Sequence, residues 1–149
     1  MFKVGVIGCG NMGEAIVKGL IEKSGIKSTD IIVNDINKER QDYIIQKYNT
    51  AGADIKKVVN LSEIVFLVVK PKDLDDTLNP VKDTFKENQI LVSVLAGVKI
   101  QKIKNLVEKP LIVRIMPNTP ALIGEGVIGV SFERETEKKE EVTNLLKGL

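Results

Sequence analysis

Met1-Phe2-Lys3-Val4-Gly5-Val6-Ile7-Gly8-Cys9-Gly10-Asn11-Met12-Gly13 places three glycines at G-x-G-x-x-G spacing directly behind an apolar run. Phe2 to Ile7 reads as a buried strand. Asn11 to Lys23 carries Met12, Ile16 and Leu20 at helical spacing. A strand, then bare glycines, then a helix on the first βα unit is the arrangement that receives a pyrophosphate. Gly8 permits the tight turn, Gly10 lets the backbone approach the phosphates, and Gly13 lets helix pack closely on strand. The helix N-terminus adds free N–H groups and a partial positive charge. A tight turn with no ligand is the plain alternative, and the strand-loop-helix context weighs against it.

Working outward, Ile31 to Asn34 is a second short strand, and Asn37 can cap a helix running to about Tyr48 with Ile44 and Tyr48 inward. Thr50 to Ala53 reads as a short third strand and Val58 to Leu61 as a helical turn. Ile64 to Val69 is apolar throughout, as a central parallel strand should be. Leu74, Leu78, Val81 and Phe85 mark one helix face. Pro80 interrupts it, which predicts a break, with Asn79 capping a second short helix. Strands follow at Ile90 to Val94, Leu111 to Met116 and Val127 to Phe132. Helices are expected around Ile100, Ile103 and Val107 and from Glu135 to Leu149. Alternating strands and helices mean an α/β fold. The expected architecture is a doubly wound, mostly parallel Rossmann sheet of order 3-2-1-4-5-6, with room for one more edge strand and helices on both faces. Residues 1–149 are read as one dinucleotide-binding domain.

Composition narrows the chemistry. The 149 residues suffice for one domain with a real core. A net charge of +2 gives no reason to invoke nucleic acid or a membrane surface. The charged run from Glu133 to Glu141 mixes both signs and reads as a solvated helix face. A single cysteine rules out an intramolecular disulfide, which fits a reducing compartment. No signal peptide is recognisable, and no apolar run reaches the ~20 residues of a membrane helix. The reading is a cytoplasmic protein. Histidine is absent, so no imidazole base or His metal ligand is available, and no metal site is expected. Cys9, between two glycines, reads as a small packing residue.

The second strand ends at Asn34-Asp35. An acid about 20 positions beyond the glycines is where a ribose 2′-hydroxyl is expected. Asp35 would accept hydrogen bonds from that ribose and repel a 2′-phosphate, which favours NAD(H). Asn37 and Lys38 share the turn and could bind a phosphate. Arg40 is too far along to weigh heavily. Asp35 also reads as a plain turn or capping residue.

Three further stretches fall at strand carboxyl ends, where α/β proteins bind ligands. They are Val69-Lys70-Pro71, Leu95-Ala96-Gly97 and Met116-Pro117-Asn118-Thr119-Pro120. With G-x-G-N-M-G they resemble the cofactor-binding half of pyrroline-5-carboxylate reductase, over nearly the whole chain. The order GNMG, VKP, AGV, RIMPNTPA is far more specific than the glycine loop alone. The resemblance implies hydride transfer from NADPH or NADH to L-1-pyrroline-5-carboxylate, giving L-proline. It implies that Ile7, Gly8, Cys9, Gly10, Asn11 and Met12 line the pyrophosphate, and that Val68, Val69, Lys70 and Pro71 run beside the cofactor. Leu95, Ala96 and Gly97 would approach the nicotinamide. Asn118 and Thr119 would border the place where nicotinamide and substrate meet, with Lys70 nearby. Singly, Lys70 reads equally as a solvated lysine, the prolines as turn residues and Gly97 as a positive-φ position.

The missing histidine agrees with imine chemistry. An iminium carbon is already electrophilic, so hydride transfer needs orientation more than a protein base. A hydroxy-acid dehydrogenase must move an alcohol proton, usually with His or Lys. One departure stands out. Members of the family continue into a helical domain that makes the dimer and most of the imino-acid pocket. This chain stops after its last helix and reads as cut. The resemblance therefore implies cofactor binding without a complete substrate pocket. The family's loop after the third strand commonly supplies an Asn to the adenosine end; Thr50 to Lys56 offers only Asp54. Related reductases of β-hydroxyacid or F420-dependent type, and a dinucleotide-binding module without catalysis, are the alternatives.

Overall fold

The computed structural model describes residues 1–117 and 128–149. Strand β1 (Phe2–Ile7) leads to helix α1 (Asn11–Glu22), then β2 (Ile31–Asn34), α2 (Lys38–Tyr48) and β3 (Ala51–Gly52). Helix α3 (Ile55–Leu61) runs straight into β4 (Ser62–Leu67). Then come α4 (Leu74–Leu78), β5 (Ile90–Ser93), α5 (Ile100–Leu106), β6 (Leu111–Pro117), β7 (Ile128–Phe132) and α6 (Lys139–Leu146). The sheet order is β3-β2-β1-β4-β5-β6-β7. β1 to β6 pair in parallel, and β7 pairs antiparallel with β6. The expected 3-2-1-4-5-6 order is present, and the extra strand caps the edge beside β6.

The alternation of strand residues builds two cores. Val4, Val6, Ile64, Phe66, Val92 and Val113 pack against α1, α2 and α6. Val65, Leu67, Leu91 and Ile112 face the opposite way, against α3, α4 and α5. β4 sits between β1 and β5, so Ile64, Val65, Phe66 and Leu67 are all buried. Each such side chain contributes roughly 1.5–3 kcal/mol by leaving water. That burial on both faces is why the stretch carries no polar alternation.

Several local expectations are corrected. The turn expected at Val58 to Leu61 is a full helix beginning at Ile55, because the Asp54 side chain accepts a hydrogen bond from the Lys57 amide at 2.9 Å and caps it. Asn79 caps nothing with its side chain; it begins a one-turn 3₁₀ segment, Asn79–Val81, that ends the Leu74 helix. Proline at its second position removes the donor that would have continued α4. The final helix starts at Lys139 rather than Glu135, after a turn in which the Lys138 amide donates to Thr136 Oγ1. Leu145, Leu146 and Leu149 are buried against the first core. Val127, the expected start of β7, lies outside the described residues.

Candidate cofactor site

All the strands from β1 to β6 point their carboxyl ends to one edge of the sheet, and the site is built there. Ile7 ends β1 and the chain turns at Gly8, whose amide donates to the Asn34 carbonyl at 2.8 Å. Gly8 has φ +113°, and a Cβ there would strike the Val68 carbonyl. A Cβ at Gly13 would strike the Gly8 carbonyl. These two glycines therefore let β1, β4 and α1 come together. Gly10 differs. Its backbone is extended, and a Cβ would meet nothing within 4 Å. Open space at Gly10 is what a ligand-facing position should show. Gly10 is also the N-cap of α1, and no side chain caps that helix. The amides of its first turn are left for an anion. Asn11 is exposed at the loop, whereas Met12 packs against the first core.

Asp35 follows β2 and closes on the loop. Its Oδ2 accepts from the Cys9 amide at 2.6 Å, and its Oδ1 accepts from the Asn37 amide at 2.7 Å. Its own amide donates to Gln41 Oε1 at 2.9 Å. Asn34 Nδ2 donates to the Ala53 carbonyl at 3.0 Å, joining the ends of β2 and β3. Asn37 caps α2 through the Arg40 amide. Lys38 is exposed and pairs with Asp42 at 3.4 Å.

Beside the loop opens a cleft of about 480 Å³. Ile7 and Gly8 form its floor with Asn34, Asp35 and Ile36. Asp54 and Ile55 close one side. Val69, Asp73, Asp76, Thr77 and Pro80 close the other. Ile36 is fully exposed at its rim. Val68 donates its amide to the Ile7 carbonyl at 2.8 Å, which places Val69 in the wall. Lys70 is exposed, and Pro71 opens a 3₁₀ turn closed by the Asp73 amide donating to the Lys70 carbonyl. Leu95 is buried, while Ala96 and Gly97 are exposed just past β5, with Gly97 at φ +72°. They lie past the neighbouring strand and outside the cleft. Asn118 and Thr119 lie outside the described residues.

The structure adds residues that the pattern of the sequence did not single out. Arg40 reaches back from α2, its Nε donating to the Cys9 carbonyl at 2.8 Å. Its guanidinium lies 4.6 Å from the Tyr43 ring centre and pairs with Glu14 at 3.3 Å. Glu14 also accepts from Tyr48 at 2.7 Å and from Tyr43 and Lys47 at 3.0 Å. Burial alone would raise the Glu14 carboxyl; the hydrogen bonds from Tyr48, Lys47, Tyr43 and Arg40 outweigh it and hold it at about 2. Gln41 is only 4% exposed, and its signal was a polar residue on the inward face of α2. Asp35 was announced by its distance from the glycines; Asp54 at the start of α3 and Asp73 and Asp76 around the start of α4 join it from elsewhere in the chain.

Cys9 is 1% exposed, and burial, reinforced by Asp35, pushes its thiol up to about 12. The expected result is that iodoacetamide leaves native Cys9 unmodified at mildly alkaline pH and labels it after denaturation. Mass spectrometry checks this; rapid labelling of the folded chain would contradict the buried placement. Among the described residues no cluster of His, Cys, Asp and Glu is arranged to hold a metal, and no helix is long and apolar enough to cross a membrane.

Residues 3–97 match the family described as NADP oxidoreductase, coenzyme F420-dependent. The chain is 35% identical over 141 residues to the pyrroline-5-carboxylate reductase of Haemophilus influenzae, covering 91% of this chain and 50% of that protein. Among solved structures, a pyrroline-5-carboxylate reductase from Coxiella burnetii superposes with a TM-score of 0.88 at 26% identity, over 99% of this chain and 56% of that one. The Plasmodium falciparum pyrroline carboxylate reductase, solved with NADP bound, shares the fold at TM-score 0.79 and 23% identity, over 99% and 55%. The chain thus spans about half the length of the curated relatives it matches.

Proposed function

Because the chain belongs to the family of NADP oxidoreductases described as coenzyme F420-dependent, we propose that it binds a nicotinamide dinucleotide and serves as the cofactor-holding half of a reductase. The reductase delivers hydride to L-1-pyrroline-5-carboxylate and yields L-proline, in the cytoplasm. The observation that carries this reading is the glycine loop: Gly8 and Gly13 are packed against backbone, while Gly10 faces open space over an uncapped helix. The 35% identity to a pyrroline-5-carboxylate reductase supports the substrate.

A bound reduced nicotinamide supplies the hydride. The residues of this chain bind and orient. The first-turn amides of α1 hold the pyrophosphate, and Asp35 takes the adenosine ribose. The acid-lined cleft with Ile36 at its rim receives the adenine end. Val68 to Pro71 and Leu95 to Gly97 would lead toward the nicotinamide, and the motif resemblance assigns Lys70, Asn118 and Thr119 to the border with the imine. The sequence contains no histidine, and the reaction asks for none: the iminium carbon needs a positioned hydride and an apolar surround. The rest of the imino-acid pocket, and assembly into oligomers, belongs to residues outside this match.

The test is oxidation of NADH and NADPH in the presence of L-1-pyrroline-5-carboxylate, with dinucleotide binding measured by calorimetry on the same sample. Binding without turnover is the expected result for the chain alone. Turnover would place a complete imino-acid pocket within these residues. Absence of binding by either dinucleotide would sink the proposal. The family's description favours a second reading, reduction of NADP with coenzyme F420. Reduced F420 in the same assay separates the two.

A further inference from the structure

Resting on that reading of the site, we infer that it takes NADH in preference to NADPH, against the family's description, and that Glu14 is the positioning residue that keeps it so. Asp35 is the group that meets the adenosine ribose. Both its oxygens are tied to backbone amides, of Cys9 at 2.6 Å and Asn37 at 2.7 Å, so the carboxylate cannot swing out of the way. Each oxygen keeps a lone pair for a 2′-hydroxyl donor. A 2′-phosphate brings only acceptors and negative charge to the same place.

The surroundings add to the rejection. The cleft also holds Asp54, Asp73 and Asp76, and neither Lys nor Arg lines it. A site for NADPH usually carries an arginine just past the second strand. Arg40 stands close to that position, and its contacts hold the guanidinium in place on the loop. Its Nε is spent on the Cys9 carbonyl at 2.8 Å, its Nη2 on Glu14 at 3.3 Å, and its face on the Tyr43 ring. Glu14 is itself held by Tyr43, Lys47 and Tyr48, so it is a fixed anchor. Lys38, the other cation of the turn, pairs with Asp42 and lies outside the cleft. That exposed pair is weak, so the clamp on Arg40 matters more.

The experiment is calorimetric titration of the full chain with NADH and with NADPH. NADH is expected to bind about tenfold tighter or more, the difference of one strong charge contact. Asp35→Ala is expected to weaken NADH more than NADPH. Glu14→Gln is expected to release Arg40 and move the affinity ratio toward NADPH. Equal affinities in the wild-type chain, or tighter NADPH, overturn the preference while leaving dinucleotide binding intact. Parallel loss of both dinucleotides in Glu14→Gln overturns the positioning role. Failure of both to bind the wild type instead overturns the underlying proposal. The wild-type ratio needs no variant to fold.

Discussion

Gly10→Val is expected to abolish dinucleotide binding while leaving the fold intact. The backbone at Gly10 is φ −73°, ψ −164°, a conformation valine adopts freely, and a Cβ there touches nothing within 4 Å. The folded chain therefore has room for the side chain, and a pyrophosphate on the loop does not. Loss of the closest phosphate contacts is expected to lower affinity by about a hundredfold or more, ~3 kcal/mol. Gly13→Ala should behave in the opposite way. Its methyl would overlap the Gly8 carbonyl, so α1 would have to lift from β1. Overpacking of this kind costs about 1–3 kcal/mol or more. Thermal unfolding alongside calorimetry distinguishes them. If Gly10→Val binds as the wild type does, the loop is no phosphate site.

Glu14→Gln is expected to destabilise the chain at neutral pH and to leave it as stable as the wild type in strong acid. The sign follows from the depressed carboxyl. Its folded value is about 2 against an ordinary 4.5. The stabilisation is therefore complete above the ordinary value and is lost as pH falls through the folded one. The Glu14 side chain is 18% exposed, so solvent screens part of the effect. About 1–2 kcal/mol is a reasonable size at neutral pH. Denaturant unfolding across the acid range measures it. A difference between variant and wild type that stays constant down to the lowest pH would assign the residue to packing alone.

These two residues illustrate what could be read before folding. The glycine spacing announced the loop and the separate roles of its glycines, a turn at Gly8, a phosphate-facing position at Gly10 and a helix-strand contact at Gly13. What the spacing left open is which atoms enforce those roles, the Val68 carbonyl against Gly8 and the Gly8 carbonyl against Gly13, with open space at Gly10. Glu14 gave no signal, because its partners lie 26 to 34 residues away on α2. Arg40 was set aside for its distance along the chain, yet the first turn of α2 folds back onto the loop at Cys9. The motif resemblance runs Lys70 beside the cofactor and Gly97 toward the nicotinamide, and both are exposed residues that do not line the cleft.

The sequence by itself determined the sheet and its order. The alternation of strands and helices, the apolar run Ile64 to Leu67 within β4 and the Asn37 cap of α2 are local or near-local signals, and right-handed crossovers leave few ways to assemble them. It also determined that these 149 residues offer no imidazole. The tertiary structure alone decided which polar groups meet. Asp35 reaches the Cys9 amide across 26 residues, and Asp54 joins the Asp73 and Asp76 segment on one cleft. A hydrogen bond acts over about 3 Å, so its partners are set by where the crossovers bring strand ends together, and no periodicity in the chain records that.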